Sequence, residues 1–220
     1  MKVLYEDEKI IVVVKSPGEP SQADKTGDKD IATILKEKSG CDIFVVHRLD
    51  RPVGGVMVYA KDAKTAAFFT DSLKDLSMNK KYLAVVNGKP SKEKSELINY
   101  IVTDTRKNLS KTVNGPKVKG AKEAKLYYEV IAYDKDADLS LLDIKLYTGR
   151  HHQIRVQLSS MGTPIWGDIK YNKNFLRKRT LPALWSYSLE INHPDKGILI
   201  FKENPSEKPF DNFEKILKNY

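Results

Sequence analysis

Five β-branched residues in a row, Ile10-Ile-Val-Val-Val14, constrain this chain more than any other feature. A run without polar alternation predicts a short strand buried in a core. Lys15-Ser-Pro-Gly18 ends it with turn chemistry. Further strands are expected at Phe44–Val46, Val56–Ala60, Lys81–Val86 and Leu97–Val102. Lys125–Tyr133 and Leu139–Tyr147 read as an antiparallel pair joined through Asp134–Asp138, with Leu142, Ile144 and Leu146 on one face. Trp185, Tyr187, Leu189 and Ile191 alternate with Ser186, Ser188 and Glu190. That alternation predicts a half-buried strand, paired with Ile198–Phe201 across the His193–Gly197 turn.

Helical spacing is sparser. Asp30–Lys38 places Ile31, Ile34 and Leu35 inward and closes at Gly40. Asp62 is an expected N-cap for a face of Ala66, Phe69, Leu73 and Leu76. His151–Met161 groups Ile154, Leu158 and Met161 and closes at Gly162. Phe210, Phe213, Ile216 and Leu217 suggest a terminal helix capped by Asp211. Residues 18–29 and the lysine-rich stretch Thr103–Lys119, with Gly115-Pro116, read as exposed loops. Hairpin connections outnumber βαβ alternation, so the fold class is α+β, with a mostly antiparallel or mixed sheet core and flanking helices. The 220 residues suit one large domain, 1–220, or two halves sharing a sheet.

Lys plus Arg number 38 against 29 Asp plus Glu, a net charge of +9, and this favours a polyanionic partner. The lysines near 78–81, 89–94, 106–125 and 170–179 are spread along the chain, as on a folded basic face. No stretch approaches the roughly 20 apolar residues of a membrane span. Glu6, Asp7, Glu8 and Lys9 interrupt any signal-peptide core, so a cytoplasmic protein is expected. The single cysteine, Cys41, excludes an internal disulfide and a thiolate zinc cluster. Phosphate-binding G-x-x-x-x-G-K-S/T, dinucleotide-binding G-x-G-x-x-G, H-E-x-x-H and G-x-S-x-G are all missing. Nucleotide hydrolysis, hydride transfer and serine hydrolysis lose their usual support.

Three segments carry candidate chemistry: His47-Arg-Leu-Asp50-Arg51, Lys80-Lys-Tyr82-Leu-Ala-Val-Val-Asn-Gly88, and Thr148-Gly-Arg150-His-His-Gln-Ile154-Arg155-Val. Singly, each has a plain structural reading: a surface ion pair, a tyrosine filling a core, a solvated arginine. Together and in this order they resemble the pseudouridine synthases of the RluA type. His47-Arg-Leu-Asp50 is similar to that family's H-R-L-D motif. The segment around Tyr82 is similar to its tyrosine motif. Gly149-Arg-His-His-Gln-Ile-Arg155-Val is similar to its G-R-x-H-Q-I/L-R-V motif. Tyr5 to Pro17 resembles its first, mainly structural motif, and Gly167-Asp168 with Tyr171 its G-D-x-x-Y. Members commonly carry Thr-Ser-Gly where this chain has Val53-Gly54-Gly55, a His where Gln157 stands, and another near Trp185.

The resemblance implies a pseudouridine synthase catalytic fold spanning 1–220, without the N-terminal S4-like domain many members carry. It implies isomerisation of uridine in folded RNA, ribosomal RNA first and tRNA next, with no metal and no organic cofactor. Asp50 would be the catalytic carboxylate, acting on the ribose or the base, or abstracting a sugar proton. Arg155 would be its cationic partner, Ile154 would press on the flipped ring, and Tyr82 would stack uracil and assist proton removal. Arg48 is implied as the wedge that replaces the flipped base. Arg51, Arg150 and the lysines of 106–125 are candidate phosphate contacts. A monomer is expected, with RNA as partner and no obligate protein partner. Two other readings compete: a basic RNA-binding module with a structural Asp50, and a metal-dependent nuclease using Asp50, Asp143 and Asp168.

Overall fold

A computed structural model describes residues 1–74, 78–175 and 180–220. Leu76 and the side chain of Leu73, expected on a helical face, lie outside the described residues, as do 176–179 of the lysine-rich stretch. In chain order the strands and helices are β1 (Lys2–Glu6), β2 (Ile10–Lys15), α1 (Ile31–Ser39), β3 (Phe44–Val45), β4 (Gly54–Ala60), α2 (Ala63–Lys74) and β5 (Asn79–Asn87). They continue with β6 (Lys94–Asp104), β7 (Leu109–Val113), β8 (Lys122–Asp134), β9 (Leu139–Leu146), α3 (Gln153–Ser160), β10 (Leu184–His193), β11 (Gly197–Lys202) and α4 (Glu214–Leu217). The chain divides into two compact units, one of residues 1–80 with 185–204, the other of 81–184 with 205–220.

The first unit is ordered β1-β2-β4-β10, with β3 added to β4 and β11 to β10. β2 and β4 pair antiparallel from Ile10↔Ala60 to Lys15↔Gly55. The short pairing of Trp185 and Ser186 with Gly54 and Gly55 is parallel, which makes the sheet mixed. Ile10, Val12, Val56, Val58, Leu189 and Ile191 cluster with Phe69 of α2 on one face. Ile11, Val13, Met57 and Tyr59 are buried on the other. Both faces of β2 and β4 are therefore covered, which is what the uninterrupted β-branched run demanded; each such side chain contributes about 1.5–3 kcal/mol on burial. Both helices of this unit begin alike. Asp30 accepts from Thr33 N–H at 3.1 Å and its hydroxyl at 2.6 Å, and Asp62 does the same for Thr65 at 2.8 and 2.6 Å.

The second unit is ordered β5-β9-β8-β6-β7. Its buried apolar residues include Leu83–Val86, Leu126, Leu141, Leu142, Ile144 and Leu158, and Val156 of α3 clusters with Ile101 and Ala124 of the sheet. The α+β class with a mixed sheet holds. Three local expectations do not. β7 lies inside the stretch read as a loop, paired with β6 from Tyr100↔Val113 to Asp104↔Leu109. The face of β10 expected in solvent is largely covered, since Ser186 and Ser188 are buried, the former donating to Val56 O at 3.3 Å. The terminal helix is a 3-10 turn, Phe210–Phe213, then one helical turn, so Asp211 sits inside it rather than capping it. Side chains at i and i+3 eclipse in a 3-10 turn, and this lets Phe210 and Phe213 bury together.

Gly55 has φ +123°, and a Cβ there would overlap the Ser186 backbone. Gly88 has φ +78° with open space around it. Gly88→Ala is therefore expected to cost about 1 kcal/mol, the strain of a left-handed alanine. Gly55→Ala, which adds a backbone clash to that strain, is expected to cost about 3 kcal/mol or more. Urea denaturation midpoints of the two variants measure the difference.

Candidate active site

Asp50 stands half-buried on the loop between β3 and β4, and the residues around it are pinned in turn. His47 Nε2 accepts the Val58 N–H at 3.3 Å, so a side chain continues the ladder where β3 stops. The ring is buried, and burial pushes its pKa down to about 3, with Lys80 adding to the shift. His47 is thus neutral at physiological pH. Leu49 accepts from Ser21 Oγ at 3.0 Å and donates back to it at 3.3 Å. Val53 N–H closes the turn on the Asp50 carbonyl at 2.9 Å.

The Arg51 carbonyl receives Gly18 N–H at 2.8 Å and Lys15 Nζ at 2.9 Å. Lys15 is fully buried and also donates to the carbonyls of Ser16 at 3.0 Å and Glu19 at 2.8 Å. Burial lowers its pKa to about 8, opposed by the charges of Glu19 and Asp50. An ammonium therefore lies within electrostatic reach of Asp50. The Arg51 side chain, a candidate phosphate contact, ties down the preceding loop. Its Nε donates to Gly18 O at 2.9 Å and Nη1 to Thr26 at 2.7 Å, and it pairs with Asp24 and Asp28. Arg48 is exposed.

In the second unit, Arg155 and Asp168 form a buried two-pronged pair, Nε–Oδ2 and Nη2–Oδ1 both at 2.7 Å. Asp168 also accepts the N–H groups of Lys170 at 3.1 Å and Tyr171 at 3.3 Å. The guanidinium lies 5.2 Å from the Tyr171 ring centroid, and the Tyr171 hydroxyl meets His152 Nδ1 at 2.8 Å. Burial first, then the Arg155 charge, pushes His152 down to about 2, so it too is neutral. The Arg155 fork engages Asp168, three residues before the tyrosine that stacks on it. Ile154 and Tyr82 are both buried. Arg150 is half-buried and donates from Nε to Glu123 O at 2.8 Å. α3 itself starts at Gln153, whose amide accepts Arg150 N–H at 3.0 Å and Thr148 Oγ1 at 2.7 Å.

Residues 9–160 match the family described as RNA pseudouridylate synthase. The chain belongs to that family. A ribosomal large subunit pseudouridine synthase C of Rickettsia bellii is 31% identical over 79% of this chain and 58% of its own length. A tRNA pseudouridine synthase C of Pectobacterium carotovorum is 26% identical over 90% of this chain and 57% of its own. The chain thus spans a little over half the length of these curated relatives. The human RNA pseudouridylate synthase domain containing 4 superposes with a TM-score of 0.78 over 99% of this chain and 93% of that one, at 23% identity, and so shares the fold.

Within an RNA pseudouridylate synthase fold, Lys15 and Asp168 are the residues whose weight the sequence did not disclose. Lys15 reads in the sequence only as the start of the turn that ends the β-branched run. Asp168 falls in the segment similar to the family's G-D-x-x-Y and, in the competing nuclease reading, is a metal carboxylate; both its oxygens are taken by Arg155. Asp143, the other such candidate, accepts from the Tyr220 hydroxyl.

Two measurements follow from this geometry. Asp168→Ala strands a buried guanidinium and is expected to cost about 3–5 kcal/mol, read as a lowered urea midpoint. His47 stays neutral in the fold down to about pH 3 but protonates near 6.5 once unfolded. The unfolded chain then holds more protons between those values, so stability present above pH 6.5 falls as pH drops. The slope from this group is up to about 1.4 kcal/mol per pH unit. His47→Gln should remove about one proton from the acid limb of a stability–pH curve, leaving the limb due to His152.

Proposed function

We propose that this protein is an RNA pseudouridine synthase that isomerises uridine in folded RNA with Asp50 as its catalytic carboxylate and no cofactor. The observation that carries the reading is the ordered set of family motifs, with Asp50 on a loop fixed at His47, Leu49, Arg51 and Val53. Such pinning is what a reacting group needs, because misplacement by about 1 Å can cost a hundredfold in rate.

The isomerisation breaks the bond from N1 of uracil to the ribose, turns the ring, and forms a bond from C5. C5 loses its proton and N1 gains one, so no redox partner is required. Asp50 acts as nucleophile or base. Lys15, buried behind the loop, keeps positive potential near it. Tyr82 offers a ring for the uracil and a phenol for proton removal. Ile154 presses on the extruded base, and Arg155, held in one orientation by Asp168, supplies fixed positive charge. Arg48, exposed beside the loop, fills the gap left by the flipped nucleotide. Arg150 and the exposed Arg106, Lys107 and Lys111 contact phosphates without reading sequence. Ribosomal RNA is the first substrate to test and tRNA the second, since one relative is named for each.

Wild type and Asp50→Ala, both checked for folding by circular dichroism, are incubated with total RNA from a strain lacking the gene, in EDTA. Pseudouridine is then mapped at single-nucleotide resolution. New sites are expected with wild type and none with the variant. Sites made equally by both would remove Asp50 from the chemistry, and strand cleavage that appears only with added Mg²⁺ would favour the nuclease.

A further inference from the structure

The β6–β7 hairpin turns through residues 105–108, and Asp104 Oδ1 accepts Lys107 N–H at 3.0 Å within it. Arg106 and Lys107 are exposed at its tip. Along its inner side, Asn108, Ser110 and Thr112 come at alternate positions and meet α3 and the residues before it. Asn108 Oδ1 lies 2.9 Å from His151 Nε2. Ser110 Oγ lies 3.0 Å from His151 Nδ1 and donates to the His151 carbonyl at 2.8 Å. Thr112 Oγ1 lies 3.0 Å from Ser160 Oγ at the far end of α3. These contacts are polar, and His151 is at their centre, engaged through both ring nitrogens and its carbonyl.

His151 adjoins the first turn of α3. The next residue, His152, is left-handed with φ +54° and gives the helix no side-chain cap. The two imidazoles stack with centroids 3.7 Å apart. Ile154 and Arg155 follow within one turn. A second route reaches the same place: Ser110 N–H donates to the Tyr171 hydroxyl at 2.8 Å, and the Tyr171 ring lies against Arg155. In the G-R-x-H-Q-I/L-R-V motif, His151 occupies the open position, so family membership gives it no role.

We propose that His151 is a positioning residue that ties the first turn of α3 to the β6–β7 hairpin, so that RNA held at the hairpin's basic tip sets the alignment of Ile154 and Arg155. The inference rests on the reading of the chain as a pseudouridine synthase. Phosphate contacts at Arg106 and Lys107 attract RNA, and Lys170, which donates to Asn108 O at 3.0 Å, clamps the same turn onto the α3 side. Movement of the tip is transmitted through Asn108 and Ser110 to His151. A binding contact thereby becomes a contribution to rate, which is how remote binding energy raises kcat.

The test uses total RNA from a strain lacking the gene, labelled with tritium at uracil C5, because the isomerisation releases that atom. Tritium release is followed in single turnover at increasing enzyme concentration, giving a limiting rate and a half-saturating concentration. His151→Phe keeps a ring stacked on His152 and loses both nitrogen contacts; Ser110→Ala loses the hydroxyl. Each is expected to lower the limiting rate about tenfold while changing half-saturation less than about threefold. His151→Gln, whose amide can again bond across the seam, should recover part of the rate. The double variant Arg106→Ala with Lys107→Ala should lower the limiting rate in wild type but not further in His151→Phe, a non-additivity that two independent defects would not show. A His151→Phe limiting rate within about twofold of wild type, or full additivity with the tip variant, overturns the positioning role alone. Absence of tritium release by the folded wild type overturns the functional reading and this inference with it.

Discussion

A buried ammonium fixes the loop on which the proposed chemistry depends. Lys15 sits at the end of β2, where it pairs with Gly55, and its three donors reach carbonyls of Ser16, Glu19 and Arg51. Those oxygens belong to the strand end, the turn after it and the residue beside Asp50. One side chain thus ties the turn that follows its own strand to a loop 36 residues further along the chain. An unpaired ammonium in that position would be expelled or neutralised. Three carbonyl dipoles and the nearby carboxylates of Glu19 and Asp50 make it tolerable, and burial still draws its pKa to about 8. The charge therefore stabilises the loop only in the conformation that presents all three acceptors. That is a specificity device, because the alternatives leave a buried cation unsatisfied.

The second unit uses the same logic with the opposite partner. Arg155 is nearly fully enclosed, and its fork matches the Asp168 carboxylate with two bonds at 2.7 Å. Buried pairs of this kind add little net stability against an apolar pair. They do fix orientation, since Arg155 can turn only by breaking two charge-assisted bonds at once. The exposed pairs elsewhere, such as Lys36–Asp42 and Lys218–Glu214, carry no such constraint. A rigid cation is useful where charge develops during reaction and a mobile one is not.

The sequence made the core legible and the seams illegible. β2, β4, α1 and the β8–β9 hairpin follow from β-branched runs, turn residues and caps that act locally. β7 was read as loop because Ser110, Lys111 and Thr112 separate its two apolar residues. The better signal was a turn-forming Asp104 to Asn108 between Val102 and Leu109, the pattern of a hairpin. The serines of β10 suggested solvent because hydroxyls are polar, but small hydroxyls satisfy themselves on backbone carbonyls, as Ser186 does on Val56, and can then be buried at little cost. In the site, the order of motifs made Asp50, Tyr82 and Arg155 candidates, but spacing alone could not pair Arg155 with Asp168 or tie Arg51 to Asp24 and Asp28. Those choices are made by tertiary packing, which no local pattern encodes.

The departures from the family pattern sort by the same reasoning. Val53-Gly54-Gly55 stands where members commonly have Thr-Ser-Gly, and any side chain at Gly54 would overlap the Trp185 ring and crowd Pro17. Trp185 in turn is held by its indole N–H donating to Glu203 O at 2.7 Å. Gly54 and Trp185 are therefore one packing solution: the larger ring occupies the room a serine would use, and a histidine commonly sits near that ring in other members. Gln157, where another histidine is common, donates to Asn99 Oδ1 at 2.7 Å and reaches the backbone of β6 and β8. It joins helix to sheet rather than facing a ligand. Neither change alters the groups assigned to the reaction. Differences in which RNA is chosen are better sought where this chain's polar side chains remain exposed, at Arg48 and along the tip of the β6–β7 hairpin.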